Sequence, residues 1–140
     1  MKILVLDGQG GKIGGYLAEA LRREVPDAHI IALGTNSIAT SMMLKNGAHA
    51  GATGENPVIV NCKNADIIAG PMGITVANSL LGEITPKMAV AIGESPALKV
   101  LVPINRCNTI IAGTQDLPIS DYIKLALQQI KLSAAASKTK

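Results

Sequence analysis

The sequence predicts an α/β fold, because short aliphatic runs alternate with segments of helical periodicity. The run from Ile3 to Leu6 is continuously apolar, as expected of a strand that helices cover on both faces. Apolar residues between Ile13 and Val25 then recur at helical spacing. A chain of 140 residues is close to the common size of one domain. We therefore expect a Rossmann-like three-layer α/β/α sandwich with a mostly parallel sheet, formed by residues 1–132.

The first half of the chain predicts two units of a strand followed by a helix. The elements are a strand at residues 3–6, a helix at about 11–24, a strand at 29–33, a helix at about 37–46 and a loop at 51–55. Pro26 and Gly47 follow the two helices and are residues that commonly end one. After Asn56 and Pro57 the chain is consistent with a short helix or, from its β-branched residues, with a strand. The helix is slightly favoured.

The second half predicts a further buried strand, two helices, two strands and a closing helix. These are a strand at residues 65–70, helices at about 75–82 and 85–92, strands at 98–104 and 109–112, and an amphipathic helix at 119–130. Thr85 and Pro86 are expected to cap and start the second of these helices. Only four residues separate the last two strands, too few for a parallel crossover. An antiparallel hairpin at the edge of the sheet is therefore expected.

Positive charge is concentrated at the C-terminus. The first 122 residues carry nine basic and ten acidic side chains, whereas four lysines and no acid follow. Residues 133–140 are expected to form a disordered basic tail. Because the first 122 residues are nearly neutral, the chain lacks the basic face typical of nucleic-acid binding. With two tyrosines and no Phe or Trp, it also lacks aromatic side chains for stacking on bases.

The cysteines and the apolar runs bear on the compartment. Cys62 and Cys107 are isolated, without a CxxC spacing or a nearby His that would suggest zinc, and they fit reduced thiols. The apolar run at the N-terminus is too short for a signal peptide, and no run approaches the length of a membrane span. A cytoplasmic protein without a membrane or metal partner is expected.

A glycine-rich turn, DGQGGKIGG at residues 7–15, directly follows the first strand and opens the first helix. Glycines let the backbone turn sharply and approach a ligand, and the helix N-terminus adds partial positive charge and unpaired donors. The turn departs from the dinucleotide pattern GxGxxG at Ile13, although Gly8, Gly10 and Gly14 satisfy GxGxxxG. It also departs from the Walker pattern. A phosphate site is favoured over a tight turn without a ligand.

Polar and glycine residues at other strand ends extend this candidate site. The predicted ligand-binding residues are Gly8, Gln9, Gly10, Gly11, Lys12, Gly14, Gly34, Thr35, Asn36, Ser37, Gly70, Gly73, Asn105 and Arg106. The carboxyl ends of parallel strands meet at one edge of the sheet, where ligands bind in open α/β folds. Helix capping by residues 35–37, and a solvent-facing turn at 105–108, are equally good interpretations.

The end of the second strand bears on the cofactor. NAD-binding folds usually place an acid there to hold the ribose hydroxyls, but residues 34–37 are Gly-Thr-Asn-Ser. This weakens NAD, and no nearby Arg supports NADP. The cofactor is therefore unknown, with a nucleotide such as NAD(P) still open.

Support for catalysis is weak. Cys107 would need a base to act as a nucleophile, and no motif links it to His29 or His49. Asp7, at the end of the first strand, is expected to hydrogen-bond loop amides and shape the turn. Whether the protein is an enzyme stays open.

Five segments resemble a family of short bacterial proteins of unknown function. They are DGQGG at residues 7–11, ALGTNSIAT at 32–40, GATGEN at 51–56, NSLLGEITP at 78–86 and PINRCN at 103–108. The resemblance spans nearly the whole chain apart from its tail. It implies a Rossmann-like fold and brings no known activity, substrate or catalytic residue.

Two hypotheses follow. The first is a protein that binds a nucleotide or phosphorylated small molecule, and it requires free backbone donors at the start of the first helix. The second is a non-catalytic, dimeric interaction or regulatory protein, with a helix around Val76, Leu80 and Leu81 as the seam between two copies.

Overall fold

A computed structural model describes residues 1–104 and 108–139, and these residues form one five-stranded sheet flanked by helices. The strands are β1 Lys2–Asp7, β2 His29–Gly34, β3 Ala50–Thr53, β4 Ile67–Pro71 and β5 Leu98–Val102. The helices are α1 Lys12–Glu24, α2 Ser37–Lys45, α3 Glu55–Asn61, α4 Pro86–Glu94 and α5 Ile119–Lys138. The strand order is β3-β2-β1-β4-β5, and every neighbouring pair is parallel. The α/β architecture expected from the alternating elements is confirmed.

Both faces of the central strand β1 are buried, which explains its continuous aliphatic sequence. Ile3 and Val5 pack with apolar side chains of α1, α2 and α5 on one face of the sheet. Leu4 and Leu6 pack with those of α3 and α4 on the other. The alternation follows from the two-residue repeat of a strand. Because the chain has no Phe or Trp, the buried side chains of both layers are aliphatic or Met, together with Cys62.

Two helix starts follow the predicted capping chemistry. Thr85 Oγ1 accepts a hydrogen bond from the Met88 amide at 3.1 Å, and Pro86 occupies the first turn of α4. The side chain of Asn36 caps α2 in the same way, accepting from the Ala39 amide at 2.9 Å. Capping of α2 by residues 35–37 was one of the two sequence interpretations.

The segment between α2 and β4 differs in part from the expectation. The predicted loop at residues 51–55 is wrong, because Ala50–Thr53 forms β3 and pairs with β2. Its sequence, Ala-Gly-Ala-Thr, carries no strong strand signal, and pairing with β2 decides its conformation. The short helix favoured after this point is confirmed as α3.

The antiparallel edge hairpin is also wrong. Leu98–Val102 runs parallel to β4, with Leu98 opposite Ile67 and Val102 opposite Pro71. The connection through α4 returns the chain to the end of the sheet where β4 begins, and β5 therefore runs parallel to β4. Residues 109–112 form no strand and are exposed, Ile110 to 94%.

The helix expected at residues 75–82 does not form. A 3-10 turn at Met72–Thr75 leads into successive turns, and Asn78, Leu80 and Leu81 all have positive φ. Three residues in the left-handed region are incompatible with an α-helix. The predicted helix around Val76, Leu80 and Leu81 is therefore wrong, and these residues cannot form a helical interface between two copies.

The C-terminal residues differ from the expected disordered tail, because α5 continues through Lys138. Lys131 lies 2.6 Å from Glu24, and Lys138 lies 3.6 Å from Asp27. These ion pairs join the end of α5 to the end of α1 and the turn after it. Among the described residues, no helix is both long and apolar enough to cross a membrane.

Candidate functional site

The carboxylate of Asp7 organises the glycine-rich turn from within. The side chain is buried, and its two oxygens accept hydrogen bonds from the Gly8 and Gly14 amides at 2.7 Å each. Burial raises the pKa of Asp7 above its ordinary value, although the amide hydrogen bonds oppose this shift. Asp7 thus shapes the turn, the role expected from its position.

Several glycines of the turn are required by close packing. A Cβ on Gly14 would lie 2.8 Å from the Cβ of Asp7 and would also overlap Met43 of α2. Gly11 has φ of 71° and would bring a Cβ to 2.7 Å from the Cα of Ala39. These two glycines let α1 approach α2 closely, which is the interpretation without a ligand.

Glu83 joins the loops after β1 and β2, a role that no local pattern in the sequence predicted. Its Oε1 accepts hydrogen bonds from the Gln9 amide at 3.0 Å, Thr35 Oγ1 at 2.5 Å and Asn36 Nδ2 at 2.7 Å. Burial alone would raise the pKa of Glu83, but these hydrogen bonds outweigh it and lower the pKa below that of an ordinary glutamate. A fixed, ionised carboxylate therefore lies at the C-terminal edge of the sheet.

The backbone donors of the turn are only partly free, which corrects the expectation. The amides of Gly8 and Gly14 are taken by Asp7, that of Gln9 by Glu83, and that of Gly11 by the Gly8 carbonyl. The Gly10 and Lys12 amides have no partner within residues 1–104 and 108–139. A Cβ on Gly10 would meet nothing within 4 Å, so this part of the turn faces open space.

The residues predicted at the end of β2 lie beside this turn. The Thr35 amide donates to the Asp7 carbonyl at 3.1 Å, and Asn36 Nδ2 also donates to the Gln9 carbonyl at 3.0 Å. Gly34 is buried where a Cβ would overlap Thr40 of α2. Ser37 begins α2 and is exposed. The glycine turn after β1 and the polar residues after β2 therefore lie in contact, as their place at neighbouring strand ends predicted.

The remaining predicted site residues are less informative. Gly70 and Gly73 are buried, and the Gly73 carbonyl accepts from the Ser79 hydroxyl. Asn105 and Arg106 lie outside the described residues, as does Cys107. A separate cavity of about 580 Å³ opens beyond β4 and β5, between Met72, Pro103 and residues 108–114.

The other groups considered for chemistry lie away from this turn. His49 Nδ1 accepts from the Ile30 amide at 3.0 Å, at the opposite edge of the sheet. Burial raises the pKa of the Cys62 thiol to about 11, which makes it a poor nucleophile. No group of three or more His, Cys, Asp or Glu side chains suited to a metal ion occurs in the described part of the chain.

Residues 2–135 match the family model described as a domain of unknown function, DUF3842. The chain belongs to the DUF3842 family. The resemblance to a family of unknown function is thereby confirmed, and it covers nearly the whole chain.

Outside its family, the resemblance of this DUF3842 protein to known molecules is slight. None of the curated proteins matches it. Among solved structures it is similar to a dodecameric FMN-dependent UbiX-like decarboxylase from Escherichia coli O157:H7, with 18% identity, a TM-score of 0.49, and coverage of 94% of this chain and 77% of that one. A likeness at this level bears on neither the ligand nor the assembly of the DUF3842 protein.

Proposed function

We propose that this DUF3842 protein binds a nucleotide or another phosphorylated small molecule at the C-terminal ends of β1 and β2. The observation that carries the proposal is the bridge made by Glu83. One of its oxygens accepts from the loop after β1 and from the loop after β2. The bridge ties the two loops together at the C-terminal edge of the sheet, the edge at which open α/β folds bind ligands.

The outer part of the glycine turn is the place for a phosphate. The unpartnered amides of Gly10 and Lys12 lie at the start of α1, where the helix contributes partial positive charge. The exposed ammonium of Lys12, 6.0 Å from the centre of the Tyr16 ring, adds a full charge. Asp7 and Glu83 repel an anion from the inner turn, so a phosphate binds on the side of Gly10 and Lys12.

Thermal unfolding with a ligand panel tests this proposal. NAD, NADP, ATP, GTP, FMN and inorganic pyrophosphate are added to the purified protein. A ligand at 100 times its Kd should stabilise the fold by about 2.7 kcal/mol. This raises Tm by about 5–10 °C for a chain of this size. The absence of any shift with all six compounds would contradict the proposal.

A charge reversal at Lys12 locates the site. Lys12→Glu places a negative charge beside the Gly10 amide and is expected to abolish the shift. The matched control is Lys45→Glu, at the far end of α2. It should leave the shift intact, and equal loss in both variants would point to nonspecific charge effects.

The alternative is a non-catalytic dimeric interaction protein, and one observation favours it. Leu81, at the tip of the turn that carries Glu83, is 96% exposed, so nearly its whole side chain is available to contact a second copy. On this alternative, Leu81→Ser lowers the mass measured by light scattering. Leu132→Ser, which changes a 65% exposed leucine on α5, is the control and leaves the mass unchanged. A monomeric wild-type protein removes the alternative.

A further inference from the structure

Glu83 occupies the place that the sequence left without an acid. Folds that bind dinucleotides use a carboxylate at the end of the second strand to accept hydrogen bonds from ribose hydroxyls. In this chain residues 34–37 contain no acid. The Glu83 carboxylate nevertheless lies there, bonded to Thr35 Oγ1 and Asn36 Nδ2 directly after β2.

The turn that carries Glu83 is held in place on both sides. The Asn78 amide donates to the Ile84 carbonyl at 2.7 Å, and the Ile84 amide donates back to the Ser79 carbonyl at 3.2 Å. Ser79 and Ile84 are buried. Gly82, with φ of 85°, completes the reversal just before Glu83. These contacts orient the carboxylate in advance, as a group that positions a ligand requires.

Glu83 retains capacity to accept further hydrogen bonds. Its Oε1 takes the three donors, whereas its Oε2 has no hydrogen-bond partner in the described part of the chain. An ionised carboxylate accepts through both oxygens, and hydrogen bonds to a charged acceptor are stronger than neutral ones. A pair of neighbouring hydroxyl groups supplies the donors that Oε2 lacks.

We infer that Glu83 selects ligands with a ribose or another vicinal diol by accepting a hydroxyl hydrogen bond at Oε2. This inference rests on the proposed binding of a phosphorylated molecule. Thr35 and Leu80 cover the face of Gly8. With phosphate beside Gly10 and Lys12, the sugar of a ribonucleotide therefore lies beside Oε2 of Glu83 and not over Gly8. The same negative charge disfavours a phosphate on the sugar hydroxyl.

Affinity measurements with three probes test the role of Glu83. ADP, 2′-deoxy-ADP and inorganic pyrophosphate are titrated calorimetrically into the wild-type protein, Glu83→Gln and Glu94→Gln. In Glu83→Gln the single side-chain oxygen still meets the three donors, and a neutral amide replaces Oε2. Glu94, exposed at the end of α4, is the matched control.

The wild-type protein and Glu94→Gln are expected to bind ADP about tenfold more tightly than 2′-deoxy-ADP, the usual contribution of one hydrogen bond to a charged group. Glu83→Gln should lose this preference and keep its affinity for pyrophosphate. A merely structural role for Glu83 would weaken all three probes together.

Two results would overturn the inference. An unchanged preference for ADP in Glu83→Gln shows that Glu83 does not contact the sugar. A large gain in pyrophosphate affinity shows instead that the carboxylate occupies the phosphate site and competes with the ligand. If the wild-type protein binds neither ADP nor pyrophosphate, the proposed function itself fails, which is a different outcome from either of these.

Discussion

Replacing Gly70 with alanine is expected to destabilise the protein by about 3–5 kcal/mol, because the new methyl group has no space. A Cβ at this position would overlap the carbonyl oxygen of Leu6 on the neighbouring strand and lie 3.1 Å from Ile74 Cδ1. β1 pairs with β4 from Ile3 opposite Ile67 to Val5 opposite Ala69, immediately before this point. The obstacle is backbone at the centre of the sheet, so no side-chain rotation relieves it.

Chemical denaturation of Gly70→Ala measures this effect, and a second glycine provides the control. A Cβ on Gly93, in α4, would meet nothing within 4 Å. Gly93→Ala should therefore stabilise the protein by about 0.5–1 kcal/mol through helix propensity. An equal change in stability in the two variants would contradict the packing explanation for Gly70. The sequence alone predicted that Gly70 belongs to a ligand site.

Removing the carboxylate of Asp7 is expected to cost about 3 kcal/mol. Asp7→Ala leaves the Gly8 and Gly14 amides, each now bonded at 2.7 Å, without their acceptor. A buried donor that loses its partner costs about 1–3 kcal/mol. Asp7→Asn keeps one accepting oxygen and should fall between the alanine variant and the wild-type protein.

Urea unfolding of these variants, with Asp27→Ala beside them, checks the prediction. The Asp27 side chain is 84% exposed and lies 3.6 Å from Lys138. Loss of such a surface ion pair changes stability by less than about 1 kcal/mol. If Asp7→Ala is as stable as Asp27→Ala, the amides of the glycine turn do not depend on Asp7.

Part of the candidate site was predictable from sequence. The glycine turn, Asp7 as its organiser and Asn36 as a cap follow from the chemistry of neighbouring residues. Glu83 was not, because 47 residues separate it from Asn36 and its own segment resembled a helix. The signal that could have found it is the Leu-Gly-Glu sequence, since a glycine before an acid permits a sharp reversal.

By itself, the sequence determined most of the local elements of this protein, but it wrongly predicted a helix at residues 75–82 and a strand at 109–112. Continuous aliphatic runs specify β1, β2, β4 and β5, and capping residues specify the starts of α2 and α4, because these signals act between residues close in the chain. Only the tertiary structure decided that β5 runs parallel to β4, that Ala50–Thr53 becomes a strand and that Glu83 meets Thr35. Strand order and the pairing of distant loops decide these features. They depend on which segments share a core, and no local pattern of residues encodes that.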